Sequence, residues 1–287
     1  MIVIKLSGGL GNQLFQYAFG MYLAETKNVK VVFDKSWYDR NRDRHLTIQN
    51  IYKQIEFANK YQIAKILYPN NAFLYALSLL SRLVWKGSHL FITEKKPFEF
   101  DSELYDKIPE SCYLDGYWQN ENYFIKIREI LLNSINTELE SAHDHMQYLN
   151  KIKNSNSVCL HVRRGDYVKL KMDNICNLSY FNKAIKMVKN KVTNPVFFIF
   201  SDDFKFAQDN FSSEGMILVP TNDKAPEADL VLMSHCKNQI TSNSSFSWWA
   251  SWLNKNDNKI VITPLKWNNG DAEKSPSPHR WIKVNNI

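Results

Sequence analysis

The sequence predicts an α/β chain built on parallel sheets, and three observations carry that prediction. Residues Ile2–Asp34 read as a strand, a glycine-rich turn, a helix and a second strand, the opening of a parallel sheet. From Val158 onward, five short apolar runs alternate with helical stretches. Four polar clusters stand directly after such runs, at 8–13, 161–166, 201–203 and 242–245, where open parallel sheets bind their ligands.

The elements follow in order. "IVIKL", Ile2–Leu6, is the first strand; "SGGLGN" turns the chain into a helix over Gln13–Thr26; "VKVVFD", Val29–Asp34, is the second strand. The stretch from Trp37 to Glu110 is aromatic-rich and reads as mostly helical. "SCYLDGYWQNENYF", Ser111–Phe124, reads as a strand feeding a loop, with a helix from Tyr123 to Leu149. The polar "KNSNS", Lys153–Ser157, separates a domain of residues 1–153 from one of residues 154–287. In the second domain, strands are expected at Val158–Val162, Val196–Phe200, Met216–Val219, Gln239–Thr241 and Lys259–Ile262. Helices are expected over Ser179–Lys191, from Phe204, over Ala225–Cys236 and over Phe246–Leu253. Such alternation describes a Rossmann-like domain. "KSPSPHRW" reads as a proline-stiffened tail.

With 44% hydrophobic and 23% charged residues, the chain has the balance of a folded protein with a sizeable core. A net charge of +7 favours an anionic ligand, nucleic acid or an acidic membrane surface. The positive residues are dispersed, without the basic stripe a nucleic-acid binder needs. Cys112, Cys159, Cys176 and Cys236 form no C-x-x-C pair, so reduced buried thiols are expected rather than disulfides or a zinc site. The apolar N-terminus is too short for a signal sequence. Ala72–Trp85 falls short of the roughly 18–20 residues of a membrane span, and Arg82 interrupts it. It reads as a buried or interfacial helix, and the protein as cytosolic.

The candidate site residues follow from chemistry. Arg163 and Arg164 each offer a planar fork of donors that suits phosphate oxygens and never loses its charge. One is expected to grip a pyrophosphate and the other to be structural; the plainer alternative pairs one with Asp166 and leaves the other on the surface. Asp166 orients an arginine or takes part in chemistry. His161 alternates with apolar neighbours, so a core histidine competes with a role at a bound base. Ser242, Asn243, Ser244 and Ser245 precede a helix, where backbone N–H groups and hydroxyls make either an anion site or an N-cap. Trp248, Trp249 and Trp252 are expected in the core. Asp202 and Asp203 suit Mg²⁺, a helix cap, or ribose and base donors, of which the last fits best. Asn12 adds a polar group to glycines that permit close approach; "HDH", His143–His145, reads as helix surface.

"GGLGNQLFQYAFG", "HVRRGDYV", "FSDD" and "LMSHCKNQITSNSSFSWWASWLN" together resemble the bacterial branch of the alpha-1,2-fucosyltransferase family, over Ile2 to about Lys266. The resemblance implies a GT-B-type architecture, two Rossmann-like domains facing across a cleft, with the N-terminal one on the acceptor side and the C-terminal one binding GDP-fucose. It implies inverting transfer of fucose to the 2-hydroxyl of a terminal galactose, with no metal and no further cofactor. Carried over, Arg163 binds the β-phosphate, with Arg164 beside it. His161 holds the guanine or ribose end; Ser244, Ser245 and Phe246 border the pyrophosphate and base; Asp202 or Asp203 contacts the nucleoside; Asn12 reaches the donor. The general base is open among Asp166, Asp115 and Glu121. The implied acceptor is a galactose-ended glycan of O-antigen or surface polysaccharide, carried on lipid at the inner membrane face. The alternatives are a transferase for another GDP-sugar or linkage, and a non-catalytic nucleotide-binding protein peripheral to the membrane.

Overall fold

The computed structural model describes residues 1–136, 138, 143–169, 172, 174–222, 225–269 and 274–285, with backbone only at Arg82, His143, Asp144, His145, Asp166 and Lys169. The chain divides into two units, Met1–Ile135 and Asn136–Ile287.

The first unit contains β1 (Ile2–Lys5), α1 (Leu10–Lys27), β2 (Val31–Asp34), α2 (Ile48–Ile51), α3 (Lys60–Leu67), α4 (Ala72–Leu80), β3 (Phe91–Thr93), α5 (Ser102–Lys107), β4 (Cys112–Asp115) and α6 (Arg128–Asn133). Its strands pair in parallel in the order β2-β1-β4-β3. Ile2, Val3 and Ile4 are fully buried, as the central strand of a covered parallel sheet requires. Helix α1 starts at Leu10, ahead of the expected Gln13, because Gly9 ends the loop as a cap with no side chain. Gly20 lets the helix settle onto the sheet: a Cβ there would stand 2.8 Å from the Phe33 ring and 2.9 Å from Ile4. The region from Trp37 to Glu110 is only partly helical. Its short strand β3 went unpredicted, since three half-exposed residues carry almost no alternation. The helix expected over Tyr123–Leu149 is broken into 3-10 turns at Glu121–Tyr123 and Ile125–Ile127, then α6. Residues 137 and 139–142 of that stretch lie outside the described residues.

The second unit runs α7 (His143–Lys153), β5 (Asn156–Val162), α8 (Gly165–Lys169), α9 (Leu178–Lys189), β6 (Pro195–Ser201), α10 (Phe204–Asn210), β7 (Met216–Leu218), α11 (Pro226–Ser234), β8 (Asn238–Ile240), α12 (Ser245–Leu253), β9 (Val261–Pro264) and β10 (Ile282–Val284). The polar stretch 153–157 is the turn from α7 into β5 and lies within this unit. All six strands are parallel, in the order β10-β9-β8-β5-β6-β7. Read from the β7 edge, this is the unit's third, second, first, fourth, fifth and sixth strand, the order of dinucleotide-binding Rossmann sheets. Strand β10 lies in what reads as a tail, because the prolines before it mask three extended residues.

Alternation along β5 sends Val158, Leu160 and Val162 into a core with Tyr180, Phe181, Ala184, Ile185 and Val188 of α9. Trp248, Trp249 and Trp252 of α12 are buried with Trp281, at ring-centroid separations of 5.1–6.2 Å. They are packing residues, as expected. All four cysteines are free and buried. Among the described residues, no helix is long and apolar enough to cross a membrane.

Candidate functional site

In the second unit the strand order reverses between β5 and β8, and a sheet of this kind opens a crevice beyond the strand ends there. The register sets what lies at that edge. Val162 of β5 stands beside Ser201 of β6, so the next residues of each chain, two arginines and two aspartates, run side by side. Arg163 Nη1 lies 2.9 Å from Asp202 Oδ2. The backbone N–H of Arg164 donates to Asp202 Oδ1 at 2.8 Å, and its Nε to Asp203 Oδ2 at 3.3 Å. Asp203 Oδ1 accepts from Phe206 N at 3.0 Å, capping α10. All four carboxylate oxygens therefore already accept a donor from the protein.

Aromatic rings support both guanidinium groups, Phe206 at 3.9 Å from that of Arg164 and Tyr167 at 5.6 Å from that of Arg163. Gly165 makes the arrangement possible, since a Cβ there would meet Asp202 Oδ2 at 2.7 Å. The pairing of both arginines with 202 and 203 differs from the alternative of an Arg–Asp166 bridge. The Asp166 side chain lies outside the described residues.

His161 points to the opposite face of β5 from the α9 core. It is 5% exposed, and its Nδ1 is 2.9 Å from Ser242 Oγ, just beyond β8. Burial, with the Arg163 charge adding to it, lowers its pKa to about 3, so the ring is neutral near pH 7. The Phe246 ring lies 5.7 Å away. Ser244 caps α12 by accepting from Phe246 N at 3.3 Å; Ser245 is the first residue of that helix. Asn243 is tied in twice, its side-chain Nδ2 to Trp267 O at 3.2 Å and its carbonyl to the Tyr167 hydroxyl at 3.0 Å. Its Oδ1 is buried with no hydrogen-bond partner among the described residues. His161, Arg163, Arg164, Asp202, Asp203 and the 242–246 turn thus form one connected cluster.

The first unit holds the remaining candidates. Lys5 and Asp115 end neighbouring strands β1 and β4, and Lys5 Nζ bonds both Asp115 oxygens at 2.9 Å. Gly8 adopts φ 77°, and a Cβ there would stand 2.5 Å from Asn12 Nδ2. Asn12 Oδ1 accepts from Gln119 at 2.8 Å. Glu121 opens a 3-10 turn. The loop is braced from beneath by two fully buried amides. Gln13 accepts from Thr47 N and Ile48 N and donates to His45 O; Gln16 bonds Ser7 at both its amide atoms and donates to Gly116 O. Sequence reasoning also missed Glu94, which accepts from Tyr117 N and Trp118 N at 2.8 and 3.1 Å. Burial pushes its carboxyl group up. Of the residues missed in the second unit, Phe206 left a trace: it stands three residues after the capping Asp203 in "SDDFKF".

A six-stranded parallel sheet of this order, with two arginines at its switch point, is of the Rossmann class, in which ligands are held at that point. The whole chain then matches one family model, glycosyl transferase family 11, over residues 1–285. An alpha-1,2-colitosyltransferase of Escherichia coli is 32% identical over 305 residues, covering 99% of each chain. The O-antigen biosynthesis glycosyltransferase WbnK of the same species is 30% identical, over 97% of this chain and 99% of the relative. Among solved structures, an alpha-1,6-fucosyltransferase, NodZ, soaked with GDP-fucose, has a TM-score of 0.51 at 14% identity, covering 88% of this chain and 92% of the other. That likeness concerns the fold. The chain belongs to glycosyl transferase family 11, the alpha-1,2-fucosyltransferase family, and is a glycosyltransferase acting between a nucleotide-sugar donor and a glycan acceptor.

Proposed function

We propose that the protein transfers L-fucose from GDP-fucose to the 2-hydroxyl of a terminal galactose, with inversion and without a metal, in O-antigen or surface polysaccharide synthesis. The observation that carries this is the arginine pair at the switch-point strand end, fixed by Asp202 and Asp203. In the reaction the galactose O2 bonds to fucose C1 as the bond from C1 to the β-phosphate oxygen breaks. GDP leaves with the electron pair, and the O2 proton passes to a carboxylate.

Arg163 meets the charge growing on the β-phosphate, the electrostatic service that a divalent ion gives elsewhere. Arg164, stacked on Phe206, holds the second position. With all four oxygens of Asp202 and Asp203 engaged by N–H donors, these aspartates support arginine placement better than Mg²⁺ binding. Neutral His161, with Ser244, Ser245 and Phe246, borders the nucleoside and pyrophosphate, and Asn12 is a further donor contact. Asp166 is the proposed base in preference to Asp115, whose two oxygens already accept from Lys5. A larger loss in Asp115→Asn than in Asp166→Asn would reverse that choice.

The similarity to a colitosyltransferase favours a second reading, in which the donor sugar is colitose, fucose lacking its 3-hydroxyl. One assay covers both: transfer to lactose from GDP-fucose or GDP-colitose, with and without EDTA, and digestion of the product by an alpha-1,2-specific fucosidase. EDTA-resistant fucosyl transfer giving a cleavable product is the expected result. Transfer abolished by EDTA would sink the arginine mechanism, and turnover of GDP-colitose alone would replace the donor.

A further inference from the structure

Three large apolar side chains of the first unit stand almost fully in solvent: Phe73 at 74%, Leu80 at 86% and Leu83 at 88% exposure. Two of them share one face of a helix, and the third follows directly in the chain. Phe73, Ala76 and Leu80 occupy positions i, i+3 and i+7 of α4, one face of a helix, and Leu83 follows in the 3-10 turn Arg82–Gly87. The opposite face is anchored. Leu74 and Tyr75 pack against the core that holds Val3, Val32 and Trp85, and the carbonyl of buried Ser78 accepts from Trp85 Nε1 at 3.0 Å. Helix α4 therefore turns a fixed apolar stripe outward, without a polar side chain along it.

The charge along this segment of the chain has one sign. Between Glu56 and Glu94 the chain carries no Asp or Glu, while it carries Lys60, Lys65, Arg82 and Lys86. Lys60 and Lys65 are exposed on α3, which packs against α4, and Lys86 is exposed in the turn. An apolar stripe in a segment whose Lys and Arg residues meet no Asp or Glu along the chain suits an anionic, apolar-cored partner. A second copy of the chain would bring the same positive charge to a self-complementary contact and be repelled.

We propose that α3, α4 and the following turn form a docking face for an anionic phospholipid bilayer. Phe73, Leu80 and Leu83 enter the headgroup–acyl boundary while Lys60, Lys65 and Lys86 face the lipid phosphates. Helix α4 lies along the surface, its length of about 14 Å presenting the stripe side-on. The proposal does not depend on which sugar the enzyme transfers.

The test is cosedimentation of the full chain with phosphatidylcholine vesicles, with and without phosphatidylglycerol. Binding is expected only with phosphatidylglycerol, should weaken as salt rises, and should fall roughly fivefold for each of Lys60, Lys65 and Lys86 replaced by Gln. A Leu80→Ser/Leu83→Ser variant, changed only at exposed positions, should keep its melting temperature and bind at least about tenfold more weakly. Its transfer to soluble lactose should match the wild type. Failure of the wild type to bind anionic vesicles, or undiminished binding by the variant, overturns the proposal. So does a wild-type dimer in light scattering that the variant dissociates, which would make the stripe a protein interface. Vesicle binding is read without any sugar donor, so it stands apart from the outcome of the transfer assay.

Discussion

Replacing Arg163 separates its proposed service to the leaving group from its structural one. Its guanidinium is paired with Asp202 at 2.9 Å, the two side chains 24% and 19% exposed, and Asp202 keeps the Arg164 N–H when Arg163 is removed. The pair is thus partly solvated, and its loss in Arg163→Ala is worth about 1 kcal/mol. That is a drop of about 2 °C in Tm for a chain of this size. Removing the charge that meets the departing diphosphate is worth more, about 3–4 kcal/mol, or 10²–10³-fold in kcat. Arg163→Lys should recover only part of this, since an ammonium cannot hold Asp202 and a phosphate oxygen in one plane. Steady-state transfer from GDP-fucose to lactose, beside a thermal melt, reads both quantities. A kcat within about threefold of wild type in a folded Arg163→Ala protein would refute the leaving-group role.

Three further outcomes follow from the geometry. His161 has a folded pKa of about 3 against 6.5 for a free imidazole, so between those values the unfolded state binds the extra proton and stability falls as pH drops from 6.5 toward 3; His161→Gln should flatten that part of the urea-midpoint profile, and an unchanged slope would show that His161 is not the group responsible. Gly165→Ala forces a Cβ to within 2.7 Å of Asp202 Oδ2, and should cost about 1–3 kcal/mol in denaturant unfolding together with at least tenfold in kcat; wild-type values for both would mean that Asp202 moves without consequence. Gln16→Leu strands Ser7 N and Gly116 O in a buried site, and should destabilise the first unit by about 2–4 kcal/mol; a loss below 1 kcal/mol by urea titration would show that water replaces the amide.

The parallel class, the second unit's first five strands and the polar clusters at their ends were legible because buried parallel strands are short apolar runs bounded by loops. The alternation in "VCLHV" left open whether His161 is a core residue or meets a ligand; the structure turns it away from the α9 core, onto Ser242. The ion pairs were not legible. Arg163 meets Asp202 only because Val162 aligns with Ser201 across a parallel pair, and that register is fixed by packing between elements almost forty residues apart. Strands β3 and β10 were missed for a different reason: β3 lies inside a stretch that reads as mostly helical, and in β10 a lysine interrupts a short run that follows prolines. The broken helix after Tyr123 reflects context over propensity, since the Tyr123 side chain is buried against Phe19 and Phe100 and its hydroxyl accepts from Asp101 N.

The four packed indoles of α12 and Trp281 make this half of the chain spectroscopically distinct. The Trp248 ring lies 5.1–6.2 Å from each of the other three, close enough for their excited states to mix. The near-ultraviolet dichroism of the native protein therefore carries a collective contribution from the second unit. The first unit contributes mainly tyrosines and the dispersed Trp37, Trp85 and Trp118. Melting the chain while recording that band against the far-ultraviolet signal reports on one unit's packing without an added label, and shows whether the two halves lose their order together.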